Sequence, residues 1–476
     1  MGGHTVTQIG FVILGAAGDR GAAALEILPR LCAAERDRGI NVELVCLAEA
    51  DQASFRDLAA KASSLLGSSC PVVSVLAEAI PYALRWLAHG TAPRKLVIYD
   101  ATPTAQHYLH LMAVLPHSQR QPIFYFGEKP LFTNSGQVQF IENNFARETF
   151  FCEFIETENP AFRAARDFLR SEPFSLQRMF FWRASCMGVS IAAGDGRGGV
   201  EGGALLDKAP HDLSVALGLL EPQSLQSAKV RGVDIQTLAL HPSRLDNAHP
   251  RFLSLANTPI ANINSPASIP EFWPACGALS FDVDFTLTNG YCAPASFIAS
   301  WLGLQDTPAE LSLSHKLSIL GLDSQDWLNT ESSCQSQDGR YHYQNQEVRL
   351  ALLEGNLAER KAHLFVNLLS KFGGRRSVCL VDKAGHHQTI FEEPPGADYH
   401  QQKDGDLLRI FQNVIEHCAG QGVAENIGPQ ATLAVHKIVL SVLDKVNQQF
   451  PGMNQGEADA ASLRAYEKYL RLASPA

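Results

Sequence analysis

The chain has 476 residues, of which 46% are apolar and only 18% charged, with a formal net charge of −10. At about 150 residues per domain this gives two or three domains, with core enough to need no staples. The composition excludes a disordered or fibrous chain, no apolar run approaches the roughly 18 residues of a membrane span, and the acidic balance argues against a nucleic-acid groove or an anionic membrane surface.

In chain order, 8–14 reads as a short buried strand ending in Gly15-Ala-Ala-Gly18-Asp-Arg-Gly21, and an Ala/Leu-rich helix follows to about residue 38. A second strand is predicted over 42–48 and a helix over 51–66. Strand 95–99, helix 105–115 and strand 122–126 follow, the last closed by Gly127-Glu128-Lys129-Pro130. Strands alternating with helices imply a parallel sheet with right-handed crossovers. Beyond residue 150 the rhythm changes. Helices are predicted over 162–169 and 205–220, strands over 177–184, 279–288, 341–353, 362–369 and 377–382, and two closing helices over 406–418 and 431–449. This is the pattern of a second, α+β domain with a large, mostly antiparallel open sheet. The expected division is 1–150 and 151–476, and the stretches 241–274 and 322–344, rich in Ser, Asn, Gln and Pro, read as loops.

A strand running into a glycine turn and then a helix is the dinucleotide-binding arrangement: glycines admit the pyrophosphate to the backbone, and the helix N-terminus offers free N–H groups. The spacing here is GxxGxxG over Gly15, Gly18 and Gly21, a departure from GxGxxG. Glu49, just past the second strand, either accepts hydrogen bonds from the adenosine ribose hydroxyls or is a solvated strand-end acid. An acid there repels a 2′-phosphate, which favours NAD; Arg20 and Arg56 are the residues that would favour NADP. Lys129 follows a buried strand at the carboxyl edge of the sheet, where ligands bind in open α/β folds. Its charge could stabilise an alkoxide-like oxygen, or it is a surface lysine of an ordinary turn.

In Gly202-Gly-Ala-Leu-Leu-Asp207-Lys208-Ala-Pro-His211-Asp212, Asp207 and His211 are four apart and share a helix face. A carboxylate beside an imidazole tunes it as a general base; the alternative is a capping aspartate with a structural histidine. Pro210 suits a first helical turn, placing Asp207 near the N-cap. The remaining histidines show no metal-ligand spacing and read as surface or loop residues, so no metal site is expected. The ten cysteines lie scattered without a CxxC pair, several inside apolar runs such as Cys46 in 42–48. With no basic segment leading into an apolar stretch at the N-terminus, this is the usage of a cytoplasmic protein.

Taken together, the glycine turn, the EKP turn and GGxLLDxxxHD resemble the Gfo/Idh/MocA oxidoreductases. The 100–107 segment DATPTAQH is similar to that family's ATPxxxH, Glu158-Asn159-Pro160-Ala-Phe162 to its lead into the second domain, and 430–444 to its closing helix. The resemblance covers nearly the whole chain. It implies a Rossmann domain that binds NAD or NADP, with Gly15, Ala17, Gly18, Asp19, Arg20, Glu49, Thr102, Pro103, Glu128 and Lys129 at the cofactor. Lys129, Asp207 and His211 correspond to the catalytic residues, and Lys129, Asn159, Lys208 and His211 would meet the substrate. The implied activity is hydride transfer between nicotinamide and a hydroxyl or carbonyl carbon of a sugar, cyclitol or related polyol, in a homodimer or homotetramer. Two other readings share the fold: a non-catalytic cofactor-binding regulator, and a redox-assisted NAD-dependent glycosidase. A partial likeness to glucose-6-phosphate dehydrogenases, in the 15–21 turn, the EKP and the length, lacks their RIDHYLGKE-type run.

Overall fold

The computed structural model describes residues 6–89, 92–145, 149–184, 203–220, 225–240, 273–300, 334–335, 342–343, 348–368, 376–394, 399–422 and 424–449. The chain falls into two compact units, Met1–Glu158 with Asp398–His436, and Asn159–Ala397 with Lys437–Ala476.

The first unit is built on β1 (Thr7–Leu14), α1 (Asp19–Arg36), β2 (Ile40–Ala48), α2 (Phe55–Leu66), β3 (Val72–Val73), α3 (Leu76–Ala88), β4 (Arg94–Asp100), α4 (Thr104–Ser118), β5 (Ile123–Glu128), α5 (Ser135–Phe145) and β6 (Phe150–Glu153). Its six strands pair in parallel in the order β3-β2-β1-β4-β5-β6. This is the strand order of a dinucleotide-binding sheet, with its switch point between β1 and β4. The central strands are buried on both faces, hence their near-continuous apolar runs. Four elements were not predicted: β3, α3, α5 and β6. Pro81 lies inside α3 and broke its pattern as read from sequence, and β3 has only two residues. The boundary expected at 150/151 falls at the first residue of β6, a strand of the first sheet.

The second unit contains α6 (Pro160–Ser171), β7 (Phe174–Ala184), α7 (Gly203–Leu220), β8 (Leu225–Leu240), β9 (Trp273–Leu287), β10 (Cys292–Ser300), the two-residue strands β11 (Cys334–Gln335) and β12 (His342–Tyr343), β13 (Val348–Leu357), β14 (Arg360–Asn367), β15 (Ser377–Asp382) and β16 (His387–Glu392). Eight strands form one sheet, β16-β15-β14-β13-β7-β10-β9-β8, antiparallel throughout except where β7 runs parallel to β10. The large, mostly antiparallel sheet is as expected, although β8, β10 and β16 were not predicted as strands. Helix α7 packs against β7, β9 and β10, and α6 against β14, β15 and β16. Phe181, Phe297 and Phe281 stack across β7, β10 and β9 with centroids 4.8 and 4.9 Å apart, on the face from which Arg183 reaches α7. Most of 241–274 and 322–344, expected as loops, lies outside the described residues; within them β11 pairs with β12.

Two further helices are α8 (Tyr399–Ala419) and α9 (Pro429–Gln449). The sequence reading placed both in the second domain, yet α8 belongs wholly to the first unit. Its Phe411 packs on Phe11, Tyr99 and Phe126 of β1, β4 and β5, at centroid distances of 5.7, 4.8 and 5.1 Å. One face of the first sheet is thus covered by residues from the far end of the chain. Among the described residues, no helix is long and apolar enough to cross a membrane. Cys46 and Cys70 are free thiols that burial pushes up to about 12, so they pack as small apolar groups.

Candidate active site

In the first unit the candidate residues gather at the carboxyl ends of β1, β2, β4 and β5. The three glycines take distinct positions in the turn. Gly15 has φ +69, the left-handed region, and a Cβ there would lie 2.8 Å from the Ala101 carbonyl. Gly21 sits in the first turn of α1, where a Cβ would stand 2.1 Å from the Gly15 carbonyl, so glycine is what lets helix and turn close together. Gly18 is the exposed N-cap of α1; its own N–H bonds the Gly15 carbonyl at 3.1 Å, and a Cβ there would come no nearer than 3.4 Å to the Gly15 carbonyl and 4.0 Å to that of Ala101. These are the three uses of glycine in a pyrophosphate-binding turn: a tight bend, an open approach and close helix packing. The extra residue relative to GxGxxG is accommodated without losing any of them. The residues present fit a dinucleotide.

Glu49 joins this turn. The Ala17 N–H donates to its Oε2 at 2.8 Å, and the Asp51 N–H to its Oε1 at 3.1 Å. The acid beyond β2 is thereby held against the glycine turn, which a merely solvated strand-end acid would not be. Asp19 lies in the first turn of α1, where its charge suits the helix dipole. Arg20, a candidate for a phosphate contact, points along the other side of the turn. Its guanidinium lies 3.5 Å from Glu128 and 3.5 Å from Glu153. Glu153, at the end of β6, is buried and accepts a 2.5 Å hydrogen bond from the Tyr99 hydroxyl. Burial raises the Glu153 carboxyl, Arg20 opposes this, and Glu128 raises it further.

Two loops complete this half. Asp100, buried at the end of β4, accepts from the Thr102 N–H at 3.0 Å, the Thr102 hydroxyl at 2.6 Å and the Tyr125 hydroxyl at 2.7 Å, and His110 Nδ1 lies 2.8 Å away. Burial works to raise its pKa, but these bonds and the neighbouring imidazoles outweigh it and hold the carboxyl well below the usual range. Thr102 therefore spends its N–H and hydroxyl on Asp100, while Pro103 is the exposed N-cap residue of α4. His107 lies between the two loops, its Nε2 2.6 Å from the Thr102 carbonyl and its Nδ1 2.9 Å from the Pro130 carbonyl. The Lys129-Pro130 peptide is cis. Gly127 lets the turn fold back, since a Cβ there would meet Leu131 at 2.4 Å. The Leu131 N–H donates to His436 Nε2 at 3.0 Å.

In the second unit, Asp207, Lys208 and His211 all lie on α7. Pro210 is not in its first turn; the helix begins at Gly203, so Pro210 and Asp207 are both interior. The buried run of Leu205, Leu206, Ala209, Leu213 and Ala216 explains this correction, because packing on the sheet outweighs the one backbone bond a proline omits. Asp207 is buried, with Lys208 Nζ 3.0 Å from its Oδ2. Next to His211, Asp212 accepts a 2.8 Å bond from the Arg183 Nε, an ion pair buried on both sides that pins the helix to β7. Asn159 caps α6: its Oδ1 accepts from the Ala161 N–H at 3.0 Å and its Nδ2 donates to the Leu368 carbonyl at 3.0 Å. That side chain holds structure rather than projecting from it.

Sequence reading has His107 only as the last residue of the ATPxxxH-like segment, with no role, and misses His436, Glu153 and Arg183. The remaining histidines were expected on the surface or in loops, whereas His107, His363 and His436 are buried. For His436 a signal existed: it stands on the buried helix face of Val435, Val439 and the hydrogen-bonded Thr432, where only a bonded imidazole belongs. Among the described residues, no group of three or more His, Cys, Asp or Glu could hold a metal ion.

No family model matches the chain, and no curated protein matches its sequence. Solved structures do match. An NAD binding oxidoreductase from Klebsiella pneumoniae is 15% identical, with a TM-score of 0.58 over 92% of this chain and 96% of that one. A myo-inositol dehydrogenase from Corynebacterium glutamicum is 12% identical, with a TM-score of 0.50 over 92% and 96%. A UDP-N-acetylglucosamine 3-dehydrogenase from Acidithiobacillus ferrooxidans is 10% identical, with a TM-score of 0.50 over 92% and 97%. The structural neighbours are Gfo/Idh/MocA-type oxidoreductases, and at these identities the likeness is one of fold. The chain has the fold of NAD(P)-binding oxidoreductases.

Proposed function

We propose that this protein is a nicotinamide-dependent dehydrogenase or reductase acting on a CH–OH carbon of a sugar, cyclitol or related polyol. The observation that carries the reading is the glycine turn of Gly15, Gly18 and Gly21 closed by Glu49. Unit Met1–Glu158 with Asp398–His436 is the cofactor-binding part, and the unit with the eight-stranded sheet is the substrate and oligomer-forming part of a homodimer or homotetramer.

Gly15, Ala17 and Gly18 would admit the pyrophosphate to the turn and the α1 N-terminus, their own N–H groups bracing the turn through Ala48, Glu49 and Gly15, and Glu49 would meet the adenosine ribose. Asp19, Thr102, Pro103 and Glu128 line the same strand ends. Glu49 repels a 2′-phosphate while Arg20 is engaged by Glu128 and Glu153, which supports NAD over NADP. The bound nicotinamide supplies the hydride acceptor or donor. The chain's own residues then manage one proton and one developing charge. In the oxidising direction His211 takes the substrate hydroxyl proton, Asp207 orients and charges-balances the ring, and the Lys129 ammonium stabilises the oxygen as its negative charge grows. Lys208 adds positive charge beside Asp207, and Asn159 positions the segment through its cap.

The test is titration with NAD and NADP, followed by a sugar and cyclitol panel read by nicotinamide absorbance. Binding of neither nucleotide would overturn the reading. Cofactor that copurifies and shows no net reduction during turnover would favour the glycosidase, and binding without turnover on any substrate the regulator.

A further inference from the structure

The turn that carries Lys129 is held by side chains remote in sequence. On one side His107 Nδ1 lies 2.9 Å from the Pro130 carbonyl. On the other, the Leu131 N–H donates to His436 Nε2 at 3.0 Å. Because Nε2 accepts, the ring proton is on Nδ1, which donates to the Thr432 carbonyl one helical turn back at 2.7 Å. The imidazole is thus fixed in tautomer and in rotation. Its flat faces and edges are filled by Phe132, edge-on at 5.0 Å, and Phe154 at 6.2 Å.

An imidazole is a costly choice for this position. His436 is 0% exposed and Leu131 1%, so water cannot serve the Leu131 N–H. A leucine at 436 would suit the buried helix face but leave that N–H orphaned, and a buried donor without a partner is destabilising. The turn would then recover its hydrogen bond by moving, and Lys129 sits two residues away. Burial holds His436 near pKa 4, so it remains a neutral acceptor across the working range.

We propose that His436 is a positioning residue for Lys129: by accepting the Leu131 N–H it fixes the lysine turn in the conformation that chemistry at Lys129 requires. The inference rests on the catalytic reading of Lys129 given above, but it concerns the turn itself and can be tested without turnover.

Reductive methylation of the full-length protein with ¹³C-formaldehyde gives each lysine a resonance, and Lys129 is assigned by the signal missing from Lys129→Arg. His436→Leu is expected to displace the Lys129 resonance, while NAD affinity stays within about threefold. His436→Gln, which keeps an acceptor at similar reach, should restore the native resonance. A folded His436→Leu protein with an unmoved Lys129 signal overturns the inference. Should His436→Leu fail to fold, His436→Gln decides alone: a native Lys129 signal supports the role, and a displaced one overturns it. Failure of the catalytic reading looks different, as full turnover in Lys129→Ala with the His436→Leu displacement intact.

Discussion

The two units arrange their candidate chemistry in opposite ways. In the first, the relevant residues come from four strand ends and converge through backbone turns, so each turn is tied to another: Gly15 to Ala101, Ala17 to Glu49, and the Thr102 and Pro130 turns to each other through His107. In the second, Asp207, Lys208 and His211 ride on one helix, whose geometry fixes their spacing and which a buried Arg183–Asp212 pair anchors to the sheet. A convergent site is sensitive to many remote buried groups, whereas a helical one is sensitive to its anchor.

Substitutions can break this contrast at either end. The largest effect is expected from Lys129→Ala or His211→Ala, each lowering kcat about a thousandfold while NAD binding survives, as read by turnover and titration on one preparation. Next, Arg183→Met strands the Asp212 charge inside the second unit and should cost about 3–5 kcal/mol in denaturant unfolding, with the nucleotide site of the first unit intact. Loss of NAD binding in that variant would show that the first unit depends on the helix anchor.

Acid should act on the first unit. Burial depresses His436 from 6.5 to about 4, so between those values the unfolded chain binds more protons than the folded one. Stability from the neutral ring is therefore complete above about pH 6.5 and lost as pH falls towards 4, about 3 kcal/mol in all. Asp100, held below its usual range, adds a further loss that begins only below its ordinary 3.8. His436→Gln should remove the first phase and leave the second, a result that melting curves across pH 3–8 would check against the roughly 3 kcal/mol expected. Gly21→Ala forces a Cβ against the Gly15 carbonyl and should cost about 1–3 kcal/mol with weakened NAD binding. The smallest effect is expected for Glu49→Gln, about a tenfold loss of NAD affinity with a narrower preference over NADP; an unchanged ratio would detach Glu49 from cofactor choice.

How much was legible in the sequence follows the same divide. Periodicity and punctuation gave the central strands and helices of the first sheet, because strands buried on both faces leave apolar runs. The glycine turn, Glu49 and Lys129 were visible because their spacing to a strand end is local. The Asp207–His211 pair was visible because a helix sets its own periodicity. What stayed hidden pairs residues far apart in sequence: Arg20 with Glu153, Pro130 with His107, Leu131 with His436, Arg183 with Asp212. Edge elements also escaped. The edge strand β16, HQTIFE, lacks a buried alternating face; away from the edges, β10 carries Pro294 and α3 holds Pro81.

The return of α8 to the first sheet bears on how the chain is made. Synthesis runs from the N-terminus, and domains usually fold as they emerge. Here Phe11, Tyr99 and Phe126 wait for Phe411, and Leu131 for His436, until more than two hundred residues of the other unit have left the ribosome. For that interval the nascent first sheet carries a bare aromatic face, a substrate for holding chaperones. Ribosomes stalled before residue 398 should display a first unit that proteases cut readily, and stalling beyond residue 449 should give protection.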